Sequence, residues 1–145
     1  MAGIDISHQY RHQVIYAQVD RMDVVYYSRY YEFFEAARSA LLRSLELPYA
    51  QIEAQGIMLP VIESNCRYFG SATFEDILTI ESSIIEQPKV RMRINYRVFK
   101  GEEHELVAEG YTVHAFVNKV MKPVRIPRFV LEQLHKYSGQ ALASQ

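Results

Sequence analysis

At 145 residues, with 49% apolar and 23% charged side chains, the chain has the size and composition of one ordinary globular domain with its own core. A net charge of -1, from 16 Lys and Arg against 17 Asp and Glu, argues against a general nucleic-acid binder, which would be basic overall. The single cysteine, Cys66, excludes an internal disulfide framework. The first ten residues lack the apolar run of a signal peptide, and no stretch approaches the roughly 20 apolar residues of a membrane helix, so the expectation is a cytoplasmic protein without a membrane partner.

From Ser7 to Gln18 the chain reads as extended, because Tyr10, His12, Val14 and Tyr16 alternate with Arg11 and Gln13. Val19 to Tyr27 holds two aspartates before a short apolar run and reads as a turn leading into a helix. Over Ser28 to Leu45, Tyr30, Phe33, Phe34, Ala37, Leu41 and Leu45 recur at steps of three and four, which predicts an amphipathic helix with Ser28 as its N-cap. Glu35 and Arg38, three apart, are expected to pair on its surface. Pro48 ends this helix, and a short helical piece follows to Ala54, closed by Gly56.

Beyond Gly56 the period changes to two. Strands are predicted at Met58 to Tyr68, Asp76 to Glu86, Lys89 to Phe99 and His104 to Asn118. The third has the cleanest alternation, with Val90, Met92, Ile94, Tyr96 and Val98 on one face and Arg91, Arg93, Asn95 and Arg97 on the other. Gln87-Pro88 and Lys100 to Glu103 suit hairpin connections, so these strands should be antiparallel neighbours. A terminal helix fits Pro127 to Tyr137. A lone striped helix needs a surface to cover, and one antiparallel sheet curled around it provides that surface, an α+β architecture. No repeat or linker divides the chain, so residues 1–145 read as a single domain. Exposed sheet edge and face then favour a homodimer or homotetramer.

Few motifs carry chemistry. His8 and His12, four apart on an extended segment, lie about 13 Å apart and cannot share a metal ion. There is no His-Glu-x-x-His, Cys-x-x-Cys, Gly-x-Ser-x-Gly elbow or glycine-rich phosphate loop, so no metal and no resident cofactor are expected. His114 and Cys66 read as core residues of strands. What remains is a pair of carboxylates, Asp20 and Asp23, directly before a helix. Such residues cap helices and complement their dipoles. The same location suits catalysis. A helix start exposes unpaired N–H groups that hold an oxyanion, and a carboxylate beside them faces a carbonyl so polarised. A thioester fits this arrangement, because its thiolate, with a conjugate acid near pKa 8.5, departs without a strong general acid.

The run from Tyr16 to Arg38, with Asp20, then Val24-Val25-Tyr26-Tyr27, Tyr30, Phe33-Phe34-Glu35 and Arg38, resembles the signature of the 4-hydroxybenzoyl-CoA thioesterase family, and the resemblance extends over about residues 8 to 135. It implies a hotdog fold, an antiparallel sheet wrapped around one long helix. It further implies hydrolysis of an acyl or aryl thioester to the free acid and coenzyme A, the coenzyme being part of the substrate. Asp20 matches the family's catalytic aspartate, acting as nucleophile or as general base on water. Val25, Tyr26 and Tyr27 match the helix start whose backbone N–H polarises the carbonyl, the Tyr27 amide foremost, and Tyr30 matches a tyrosine beside the pocket. Lys89 and Arg91, with Lys119, Lys122 and Arg125, are the expected partners of the coenzyme A phosphates. Three positions depart from the pattern: Gln18 replaces an aspartate, Asp23 a glycine and Arg29 an asparagine. Arg29 is expected either to remove a pocket hydrogen bond or to supply a charge for an acidic substrate. Asp23 is expected to preserve the turn, since aspartate tolerates left-handed backbone. Alternative readings are a thioesterase acting on acyl carrier protein and a hotdog that binds acyl thioesters without hydrolysing them.

Overall fold

The structure is a computed structural model that describes residues 3–142. Strand β1 (Ile6–Gln13) leads through a single 3-10 turn (Tyr16–Gln18) to helix α1 (Arg29–Ser44) and the short helix α2 (Tyr49–Ala54). Strands β2 (Val61–Tyr68), β3 (Ile77–Ile84), β4 (Arg91–Lys100) and β5 (Glu105–Ala115) follow, then helix α3 (Arg128–Tyr137) and the two-residue β6 (Ala141–Leu142). They form one sheet in the order β2-β5-β4-β3-β1-β6, antiparallel except for β6 beside β1. The sheet curls around α1, which is the hotdog arrangement.

The expected helix and strands are present, with shorter strands. The first strand stops at Gln13 because Gln18 folds the chain back: its Oε1 accepts the Ile15 N–H at 3.0 Å and contacts His12 Nε2 at 2.8 Å. Val90 lies outside β4 and is 49% exposed, whereas Met92, Ile94, Tyr96 and Val98 are buried as the alternation requires. β3, β4 and β5 are hairpin neighbours, but β2 is not beside β3. It pairs with β5 at the far edge, so residues 69–76 must cross the end of the sheet.

The core forms where the α1 stripe meets the inner sheet face. Phe34, Ala37, Leu41 and Leu45 are fully buried against Leu78, Ile80, Ile94 and Val98. The Phe34 ring stacks on Tyr96 with centroids 4.3 Å apart. Gly110 admits this approach: a Cβ there would collide with the Asn65 carbonyl oxygen and meet the Phe34 ring at 3.0 Å.

Arg38 is not on the surface and does not pair with Glu35, which is exposed. Its position on α1 falls beside the apolar stripe, so its stem packs inward and its guanidinium meets polar groups of the sheet. Nε donates to Tyr49 Oη at 2.8 Å and Nη1 to Tyr96 Oη at 3.1 Å. Tyr96 then contacts Thr112 Oγ1 at 2.8 Å, Thr112 contacts His114 Nε2 at 2.8 Å, and His114 Nδ1 contacts the Leu59 carbonyl at 3.1 Å. Arginine can only donate and a carbonyl only accept, and a neutral imidazole that donates from Nδ1 accepts at Nε2, so with the histidine neutral every bond between them has one direction. Tyr96 donates to Thr112, Thr112 to His114 Nε2, and His114 Nδ1 to Leu59. This order requires a neutral imidazole. Burial accordingly pushes the His114 pKa down to about 4, the Leu59 carbonyl opposes the shift, and the Arg38 charge reinforces it.

His114 therefore makes stability pH-dependent. An unfolded histidine takes up its proton near pH 6.5, but the folded one does so only near pH 4. Folding stability should fall as pH drops through that interval, by up to roughly 3 kcal/mol. Urea midpoints between pH 7.5 and 4.5 should show this loss in the wild type and a shallower one in His114→Gln. Equal slopes would contradict the assignment.

Candidate active site

The segment between β1 and α1 is a tight loop hung on the crossing segment 69–76. Val19 and Val25 form an antiparallel bridge, and between them Asp20 N–H donates to Val24 O at 2.9 Å and Asp23 N–H to Asp20 O at 3.0 Å. Closing so short a loop needs one left-handed residue, and Asp23 takes it with φ of 63°. Aspartate thus serves at the glycine position, as expected. The loop is pinned by the Val25 N–H to Ala72 O at 2.8 Å and by Thr73 Oγ1, which donates to the Asp23 carbonyl.

Asp20 has two roles for its two oxygens. Oδ1 accepts from the Met22 N–H at 2.8 Å and the Val24 N–H at 3.4 Å, which fixes the side chain across the turn. Oδ2 has no hydrogen bond within the described residues. The structural role expected of an aspartate before a helix and the availability of a carboxylate oxygen therefore coexist in one side chain.

Four amides lead into α1, and they differ. Val25 N–H is spent on Ala72, and Tyr26 N–H donates to Gln18 O at 3.2 Å. Tyr27 and Ser28 N–H groups donate to no acceptor among the described residues, so they are the orphan donors of the helix start. Of the three amides expected from sequence, the structure leaves Tyr27 available, and it adds Ser28. The Ser28 side chain makes no capping hydrogen bond, contrary to expectation, because its backbone is already helical (φ -68°, ψ -20°).

Asp20, Tyr26, Tyr27 and Tyr30 line one cavity of about 260 Å³, together with Tyr68 and Ser71. Tyr30 is buried, and desolvation pushes its pKa up to about 12; the phenol of Tyr68 is likewise raised, first by desolvation and then by Cys66. Both stay protonated at neutral pH, so neither serves as a base. Burial also raises the Cys66 thiol, which disfavours the nucleophilic thiolate. Arg29 does not enter the cavity. Its guanidinium pairs with Glu32 at 2.9 Å and donates to Ala17 O at 3.3 Å. Gln18, at the other departure, is occupied in bracing the 3-10 turn.

The expected phosphate ligands lie elsewhere in the chain. Lys89, Arg91, Lys122 and Arg125 are exposed. Arg91 pairs in register with Ala115, whereas Tyr68 at the cavity pairs with Ala108. Seven residues of strand separate the two levels, about 23 Å. A larger recess, about 450 Å³, occupies the outer sheet face among Arg93, Arg97, Glu81 and Tyr111. Its charges are largely engaged: Arg97 pairs with Glu81 at 2.6 Å and Arg93 stacks 3.8 Å over the Tyr111 ring. Among the described residues no cluster of three or more His, Cys, Asp or Glu could hold a metal ion. Among the described residues no helix is long and apolar enough to cross a membrane.

Residues 14–134 match the thioesterase-like superfamily. A putative esterase of Aquifex aeolicus is 32% identical over 125 residues, covering 86% of this chain and 95% of that protein. An acyl-CoA thioesterase of Haemophilus influenzae is 29% identical over 126 residues, covering 85% and 90%. A crystal structure of a hypothetical protein from Thermus thermophilus superposes with a TM-score of 0.82 at 31% identity, covering 90% of this chain and 97% of the other. Sequence reasoning missed Tyr68 and the supports at Ala72 and Thr73, and it gave Ser28 a cap where the structure leaves an unpaired amide. The alternation of Cys66 and Tyr68 marked their shared face, but only the β2–β5 pairing shows that this face meets the α1 start.

The left-handed residue gives a direct test of the loop. Asp23→Gly should fold at least as stably as the wild type, whereas Asp23→Val should lose about 1–2 kcal/mol, the cost of left-handed backbone for a residue with a Cβ and no local polar partner. Thermal melts check this, and a valine variant as stable as the glycine variant would contradict it.

Proposed function

Because this chain belongs to the thioesterase-like superfamily, we propose that it hydrolyses acyl-CoA thioesters in the cavity shared by Asp20 and the start of α1. The observation that carries this reading is the juxtaposition of an uncommitted carboxylate oxygen, Asp20 Oδ2, with an uncommitted backbone donor, Tyr27 N–H, on one cavity wall. The thioester carbonyl oxygen sits on the amide, which stabilises the negative charge of the tetrahedral intermediate. Asp20 then works in one of two ways. As nucleophile, Oδ2 bonds to the carbonyl carbon, the C–S bond breaks, coenzyme A leaves as thiolate, and water cleaves the resulting mixed anhydride. As general base, Oδ2 takes a proton from water as that water attacks, and the same C–S bond breaks. Both routes end in the free acid and coenzyme A, and neither needs a general acid.

The walls suit an aromatic or short acyl group, since Tyr26, Tyr27, Tyr30 and Tyr68 offer ring faces and edges. The coenzyme reading involves a second copy. Among the described residues β2 pairs only with β5, so its outer edge is open, and Val61 and Ile62 beside it are 47% and 48% exposed. Antiparallel pairing of two such edges sets the far end of one sheet beside the Asp20 end of the other. Lys89, Arg91, Lys122 and Arg125 of a neighbouring copy then supply the basic groups for the phosphates that this chain's own cavity lacks. Loss of the family glycine would favour a hotdog that binds without hydrolysing, but Asp23 retains the left-handed geometry that glycine would provide.

Asp20→Asn preserves the acceptor for Met22 and Val24 but removes the charged oxygen. Its kcat on acyl-CoA esters should fall by a factor of about 10³ or more in a thiol-release assay, with an unchanged circular dichroism spectrum. Turnover close to wild type would remove Asp20 from the mechanism.

A further inference from the structure

Tyr68 ends the edge strand β2, and its phenol reaches across to α1, where Oη donates to the Tyr27 carbonyl at 3.0 Å. Its ring packs edge-on against Tyr30, with centroids 5.2 Å apart, and against Tyr27 at 6.4 Å. That carbonyl also accepts the Tyr30 N–H, at a longer 3.3 Å. The Tyr27 carbonyl and the Ser28 N–H are opposite ends of one planar trans peptide, so holding the first aims the second. A bond accepted by the carbonyl also polarises the peptide and strengthens its N–H as a donor. The neighbouring peptide is held by backbone alone, since the Tyr26 carbonyl accepts the Arg29 N–H at 2.9 Å. The two orphan donors are thus fixed by different means, Tyr27 N–H by the helix turn and Ser28 N–H through a side chain from the sheet.

We propose that Tyr68 is a positioning residue that aims and polarises the Ser28 N–H as a second donor to the oxyanion. The inference rests on the thioester hydrolysis assigned above to the Asp20 cavity. Tyr68 contributes through the peptide and takes no part in proton transfer; burial raises its pKa, which keeps the phenol a donor throughout the neutral and mildly alkaline range. An oxyanion donor acts on the transition state more than on the ground state. Loss of its orientation should therefore appear in kcat and leave KM nearly unchanged.

Tyr68→Phe keeps the ring and removes the hydroxyl. With benzoyl-CoA as substrate, kcat should fall about tenfold, less than the hundredfold or more expected for loss of an oxyanion donor outright. KM should stay within twofold, and the pH profile should keep its shape at a lower plateau. A spectroscopic arm separates aim from packing. In the Asp20→Asn background, the carbonyl stretch of bound benzoyl-CoA should lie below its value in water, and adding Tyr68→Phe should move it part of the way back. A wild-type kcat in Tyr68→Phe, a loss confined to KM, or an unmoved carbonyl stretch would overturn the proposal. If instead Asp20→Asn itself turns over at the wild-type rate, the site assignment fails, whatever Tyr68 does.

Discussion

The site depends on a single backbone constraint, the attachment of a tight loop to a segment that crosses the sheet. Since β2 pairs with β5 and β3 lies three places along, residues 69–76 must pass the end of the sheet where α1 begins. Ala72 and Thr73 on that passage hold Val25 and Asp23, and Asp23 in left-handed backbone lets the loop close. Together these contacts set the Asp20 carboxylate beside a helix start whose first free amide is Tyr27. Strand order, a property of the whole fold, thereby brings a carboxylate and an unpaired backbone amide to one cavity.

A second theme is the economical use of polar groups. Asp20 satisfies the turn with one oxygen and leaves the other without a hydrogen bond among the described residues. The helix start spends the Val25 and Tyr26 amides on Ala72 and Gln18 and holds Tyr27 and Ser28 in reserve. In the core the opposite rule holds. The chain from Arg38 through Tyr96, Thr112 and His114 to Leu59 runs in one direction throughout when the histidine is neutral, the form that burial favours. A buried cation without a carboxylate partner is costly, and here two phenol oxygens and the helix–sheet seam share that cost.

Much of this was legible in the sequence, for identifiable reasons. The α1 stripe and the period-two alternation of β4 are local signals tied to burial, and Phe34, Leu41, Ile94 and Val98 lie where those periods place them. The family resemblance of the run from Tyr16 to Arg38 singled out Asp20, Tyr27 and Tyr30, and all three line one cavity because they share a single loop and helix start. Three kinds of information were not local. The inward turn of Arg38 depends on partners 58 residues away in Tyr96. The commitment of the Val25 amide depends on Ala72, across the crossing segment. The separation of Lys89 and Arg91 from the cavity depends on strand order, which alternation cannot supply. Arg29 looked like a change to the pocket, yet it serves the scaffold, as Gln18 does: Gln18 braces the 3-10 turn and Arg29 ties it to α1.

The most direct measurement is a crystal structure with a non-hydrolysable acyl-CoA analogue in which a methylene replaces the thioester sulfur. The account predicts the ligand's carbonyl oxygen about 3 Å from the Tyr27 backbone nitrogen, with Asp20 Oδ2 facing the carbonyl carbon. An analogue whose carbonyl lies away from α1, with Asp20 touching no part of it, would contradict the account.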